Sequence, residues 1–171
     1  MRLAEVIETA FAGREMPVKV TDSDCTVPGD SDVEDTLWFS GKNWRDIMWD
    51  DWKKHGIALC FFTQDALAYW LPSVLHLSQQ RPSEYLSAAG DLIRTFGSTC
   101  WAPSPNHWRD HFRARFVGLR TEEYEAIKEW LLFMSNLETY RKYLNFRPGP
   151  GDIFERALET VCLAQRESQR V

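Results

Sequence analysis

The stretch TQDALAYWLPSVLHLSQQ, residues 63–80, carries the helix signals that decide the fold class. Thr63 is a hydroxyl residue standing just before an apolar run, where its oxygen can accept a backbone proton and cap a helix. Asp65 then places a negative charge in the first turn, the end that aligned peptide dipoles make positive. Pro72 lies inside the run. It has no amide proton and its ring crowds the preceding turn, so a kink or a restart at Leu71 is predicted.

The same reading extends in both directions. Upstream, the apolar run at 57–62 is short enough to be a strand or the entry to a helix, and its periodicity does not decide between them. Downstream, Arg81-Pro82 ends the unit and Ser83 is positioned to cap a helix whose face is Leu86, Ala89, Leu92, Ile93 and Phe96, up to Gly97. Ser104-Pro105 reads as a cap followed by a first-turn proline, with Trp108, Phe112 and Phe116 four apart behind it. Thr121 begins the longest predicted helix, with a stripe of Tyr124, Ile127, Leu131, Met134, Leu137 and Leu144 that ends at Pro148-Gly149-Pro150-Gly151. Asp152 and Glu155 have the spacing of a capping box and open the last helix. At the N-terminus, Leu3, Val6, Ile7, Ala10 and Phe11 form one helical face closed by Gly13. Residues 13–36 have no sustained period and read as an acidic loop. Asn43 can cap a helix that closes with Lys53, Lys54 and His55 before Gly56. The expectation is an all-α bundle of six or seven helices with little or no strand, one domain over residues 1–171.

Composition agrees with that size and class. At 171 residues and 20.0 kDa the chain can bury about 70% of its unfolded surface without a disulfide or metal staple. Hydrophobic residues are 44% and charged residues 26%, a globular balance. The net charge of −5 disfavours nucleic acid as a partner. The first residues, MRLAEVIETAFAG, are interrupted by Glu5 and Glu8, unlike a signal peptide, and no apolar run reaches the ~18 residues of a membrane span. Cys25, Cys60, Cys100 and Cys162 are scattered with no CxxC pair, so reduced thiols, a cytoplasmic location and no membrane contact are expected.

Two segments carry a resemblance. Phe61-Phe62-Thr63-Gln64-Asp65-Ala66-Leu67-Ala68-Tyr69-Trp70-Leu71-Pro72 resembles the FxTxxAxxYxLP signature of a family of small bacterial proteins described as a domain of unknown function. Phe116-Val117-Gly118-Leu119-Arg120-Thr121-Glu122-Glu123-Tyr124, with Ala126-Ile127, is similar to that family's FxxLTxEQxxAI element. Arg120 interrupts its Leu-Thr step and Tyr124 replaces its Gln. Ala10-Phe11 through Pro17 is similar to the family's opening helix and proline-bearing loop. The resemblance implies a bacterial, mostly helical protein and assigns no catalytic residue.

Catalytic templates are missing: there is no glycine-rich phosphate loop, no GxSxG, no zinc-finger spacing and no dinucleotide fingerprint. Cys60 in its apolar run is expected to be an inert thiol. His107 and His111 are four apart, as two ligands on one helix face would be, but Trp108-Arg109-Asp110 between them is not an HExxH core. A surface pair is the plainer reading, and no metal or other cofactor is expected. Arg109, Arg113, Arg115 and Arg120 could form a phosphate stripe among aromatics, yet an amphipathic helix packed on a core shows the same pattern. Asp30, Asp32 and Glu34 alternate as calcium ligands do, but Asp35 stands where the loop glycine belongs.

The remaining feature is charge beside indoles. Residues 13–36 hold seven acids against two bases, and Trp38, Trp44, Trp49 and Trp52 follow within fifteen residues. The preferred reading is a non-enzymatic protein-binding module. In it Asp30, Asp32, Glu34 and Asp35 attract a basic protein partner and the four tryptophans form an exposed apolar patch that anchors it. An immunity protein that neutralises a toxin would fit. The alternative is a small enzyme or ligand-binding protein with a pocket near Pro72, drawing on Tyr69, Trp70, Cys100, His107 and His111. Buried tryptophans and a deep polar cleft would favour it.

Overall fold

A computed structural model describes residues 2–22, 31–98, 105–144 and 151–170, with the side chain of His107 outside the description. The chain is all-α. Its helices are α1 (Leu3–Ala10), α2 (Ser31–Leu37), α3 (Trp49–His55), α4 (Gln64–Gln80), α5 (Ser87–Phe96), α6 (Asp110–Phe116), α7 (Thr121–Ser135), α8 (Glu138–Leu144) and α9 (Ile153–Ser168). Three 3₁₀ turns, at Trp44–Asp46, Gly56–Cys60 and Pro105–His107, connect them. The one β pairing among the described residues is an isolated antiparallel bridge between Thr21 and Phe62.

α4 is the central element. Every residue from 66 to 75 is buried, and a helix that is sheltered on all sides must be surrounded by others. α1, α5, α6 and α7 pack around it. Thr63 caps it as expected, its Oγ1 accepting from the amide of Ala66 at 3.2 Å. The helix runs through Pro72 without a restart at Leu71. A second layer forms where α7 packs on both α1 and α9, and α9 crosses α5. One buried cluster runs from Ile7 to Ala164.

Several boundaries differ from the sequence reading. The stripe expected to continue to Leu144 divides at Asn136 into α7 and α8. The segment expected to run from Asn43 to His55 divides as well. Asn43 Oδ1 caps only the 3₁₀ turn, accepting from Arg45 N at 3.0 Å, and α3 starts afresh at Trp49. Ser83 caps nothing; α5 starts four residues later. The 57–62 run is a 3₁₀ turn that leads into the single bridge. Residues 31–36 of the acidic segment expected as loop lie in α2, with Val33 and Thr36 facing inward. Two turns that start with Asp32 and Glu34 suit the helix dipole, and Thr36 Oγ1 donates to Asp32 O at 2.7 Å.

A buried ion cluster ties the two ends of this architecture together. Glu123, in the first turn of α7, is fully buried. The Nε and Nη2 groups of Arg14 donate to its two carboxylate oxygens at 2.6 Å each. Arg120 adds a backbone bond at 2.7 Å and a side-chain bond at 3.0 Å, and its Nη2 also donates to Ala10 O at 2.9 Å. The chain leaving α1 is thereby fastened to the start of α7. Among the described residues, no helix is long and apolar enough to cross a membrane.

Candidate functional site

α2 is held by an aromatic and ionic contact with α3. His55, the last residue of α3, is buried, and its Nδ1 lies 2.6 Å from Asp35 Oδ1. A carboxylate can only accept, so this nitrogen carries the proton and donates. The His55 ring stacks on Trp38, centroids 4.4 Å apart and planes 14° from parallel. On Trp38 sits the ammonium of Lys42, 4.1 Å from the ring centroid, and Lys42 Nζ also donates to Trp38 O at 2.7 Å. Asp35 is therefore structural, a clamp between α2 and the end of α3.

The other acids have different positions. Glu34 is exposed and Asp32 half-buried on the same helix, while Asp30 lies outside the described residues. α2 carries no basic residue in its last turn, and it ends at Leu37, whose side chain is 51% exposed. Met48 at 63% and Ile57 at 40% are exposed on the neighbouring elements. The 3₁₀ turn that carries Ile57 packs against α2.

The tryptophans do not form the patch expected of a binding module; their burial is one of the two features expected of the alternative reading. Trp44, Trp49 and Trp52 are all buried and only Trp38 is half-exposed. Trp52 is satisfied from inside, ring and nitrogen alike. Trp52 Nε1 donates to Ser73 Oγ at 2.9 Å, and that hydroxyl donates to Trp70 O at 2.7 Å. Phe39 meets Trp52 at 4.8 Å and Trp70 at 5.7 Å, and Phe62 stacks on Trp70 at 5.2 Å. Guanidinium groups lie over the other two rings, Arg45 over Trp44 at 4.3 Å and Arg81 over Trp49 at 5.1 Å.

The residues of the alternative pocket are scattered in role. Tyr69 and Trp70 are buried core side chains, and Trp70 Nε1 donates to Lys42 O at 3.2 Å. His111 is exposed on α6. Cys100 and the His107 side chain lie outside the described residues. Among the described residues, no group of three His, Cys, Asp or Glu side chains could hold a metal ion.

Three arginines of the suggested phosphate stripe are engaged within the fold. Arg113 donates to Pro105 O at 2.6 Å and faces Glu167 at 3.6 Å. Arg115 donates to Cys60 O at 3.3 Å, and burial pushes its pKa down. Arg120 is in the Glu123 cluster. The Cys60 thiol is exposed, and partial desolvation raises its pKa against the opposing charge of Arg115.

Sequence reasoning missed one feature, a hollow of about 170 Å³ between α7, α8 and the start of α9. The expected capping box there is only half made. Asp152 Oδ1 accepts from Phe154 N at 2.8 Å, whereas Glu155 makes no return bond and lines the hollow instead. No family, curated protein or solved structure matches the chain.

Proposed function

We propose that this chain is a non-enzymatic protein-binding module whose docking face is α2 with the exposed apolar side chains beside it. The supporting observation is Leu37, half exposed at the end of a helix that carries Asp32, Glu34 and Asp35 and no base. An exposed apolar anchor at the end of an acidic helix suits a partner of opposite charge. The charges raise the encounter rate and the buried anchor holds the complex. The partner of this reading is a basic protein, and a toxin encoded beside its neutraliser is one protein of that kind. The tryptophans take a different role here from the one their density suggested. They stiffen the support beneath α2, so the surface is presented already formed and less ordering entropy is lost on binding.

A photo-crosslinking residue placed at Leu37, compared with one at the exposed Glu159 of α9, tests the reading in cells of the source organism. The expected result is a cross-linked protein of basic surface from position 37 and none from position 159. Equal products from both positions, or none from position 37, would overturn it.

A further inference from the structure

The hollow between α7, α8 and α9 has the composition of a small-ligand site. Its floor is apolar: Leu131 and Phe154 are buried there, Leu158 is half-buried and Leu132 stands 53% exposed at the edge. The volume of about 170 Å³ is that of a pocket for one benzene-sized ring. Three charged groups, Arg141, Asp152 and Glu155, complete the lining with Ser135, and two of the three are fixed. Arg141 donates from Nη1 to Asp152 Oδ2 at 3.0 Å and from Nε to Ser135 O, and its guanidinium lies over the Phe154 ring at 5.8 Å. Asp152 is held from both sides, by Arg141 and by the amide of Phe154.

Glu155 is different. No cation is paired with it among the described residues, although its side chain borders the hollow. The charges of Arg141 and Asp152 cancel, and the N-terminus of α9 contributes about half a positive charge. Glu155 therefore leaves the site net negative. The hydroxyl of Ser135 donates to Leu132 O at 2.8 Å, so its oxygen keeps free lone pairs to accept a proton from a ligand. An apolar floor with a carboxylate and a hydroxyl acceptor at the rim fits a ligand with the opposite pattern.

We infer that the α7–α8–α9 hollow binds a small primary amine with a single-ring or short-alkyl body, the body on Leu131, Phe154 and Leu158 and the ammonium on Glu155. The elements involved are not those of the α2 face, so the two sites can be tested separately.

The test is an amide-resolved NMR titration of the whole chain with benzylamine, toluene and phenylacetate. Benzylamine is expected to shift amides within 131–135 and 152–158 and to bind about tenfold tighter than the other two, as a charge-assisted hydrogen bond implies. Glu155→Gln, an exposed change, should lower benzylamine to the level of toluene. Toluene binding as tightly as benzylamine would overturn the proposal, as would tighter binding of phenylacetate. So would shifts confined to other residues, or a benzylamine preference that survives Glu155→Gln.

Discussion

Asp35 and His55, twenty positions apart in sequence, meet at 2.6 Å and join the acidic helix to the end of α3. The contact divides the acids of α2 by role. Asp35 is a clamp with a buried imidazole as its partner, while Glu34 points to solvent. Substitutions at the two positions should therefore separate stability from binding. Asp35→Ala removes the acceptor that satisfies the His55 Nδ1 proton, and leaving such a donor unpaired costs about 1–3 kcal/mol. Glu34→Gln should stay within about 0.5 kcal/mol of the parent, as exposed substitutions do. Urea midpoints measure both, and hydrogen exchange at Trp38, whose amide bonds to Glu34 O, should accelerate only in the Asp35 variant.

Glu123 gives the largest expected loss. Its carboxylate sits between Arg14 and Arg120 with no exposed surface. Glu123→Gln keeps the shape but removes the charge that two guanidinium groups face. Breaking a buried pair of this kind costs about 3–5 kcal/mol. Equilibrium denaturation reads the loss directly, and a change under 1 kcal/mol would show that the cluster is not an anchor.

Gly97 tests the α5–α9 crossing. A Cβ at that position would lie 2.5 Å from Ile153 Cγ1 and 2.6 Å from Ile153 O, and the latter is backbone that cannot swing aside. Gly97→Ala should therefore cost about 1–3 kcal/mol through overpacking. It should also disturb the bond that Arg156 Nε donates to Gly97 O at 2.9 Å. A thermal midpoint equal to the parent's would contradict the tight crossing.

Tyr140 links stability to alkaline pH. Its hydroxyl accepts from Leu86 N at 3.0 Å in the core, and burial pushes its pKa from 10.0 up to about 12. The folded value lies above the unfolded one. The contribution is therefore complete below pH 10.0 and is lost as pH rises through that window to about 12, because the unfolded chain releases the proton first. Burial raises Tyr85 and Tyr124 as well. Tyr140→Phe should make the alkaline fall in stability shallower without abolishing it, and it should cost about 1–3 kcal/mol at neutral pH through the orphaned Leu86 amide. Denaturation series from pH 8 to pH 12 on both proteins check the sign.

How far the sequence could lead differs from element to element. α4 was readable because its cap is local: Thr63 bonds to an amide three residues away, and the apolar run follows at once. The break at Asn136 was not, since Leu131, Met134, Leu137 and Leu144 keep a helical spacing across it, although Asn136 closes α7 locally by donating from Nδ2 to Leu132 O at 2.8 Å. α2 gives no such signal, because two short turns of acids expose almost no apolar period, with only Val33 and Thr36 facing inward. In the candidate site, acidity was legible and pairing was not. Nothing near Asp35 announces that its partner is His55, and nothing near Trp52 announces Ser73. The density of indoles was plain, but a ring that can serve as core or as anchor declares its role only when its nitrogen finds a partner.

The account rests on the acidic face of α2 drawing in a basic protein, and association kinetics with the protein captured at Leu37 test it most directly. Rate constants for the parent and for Asp32→Asn/Glu34→Gln should be measured from low to high salt. The parent should associate fast at low salt and slow steeply as salt screens the charges, while the variant starts slower and varies less. Overlapping rate constants for the two proteins at every salt concentration would contradict the claim.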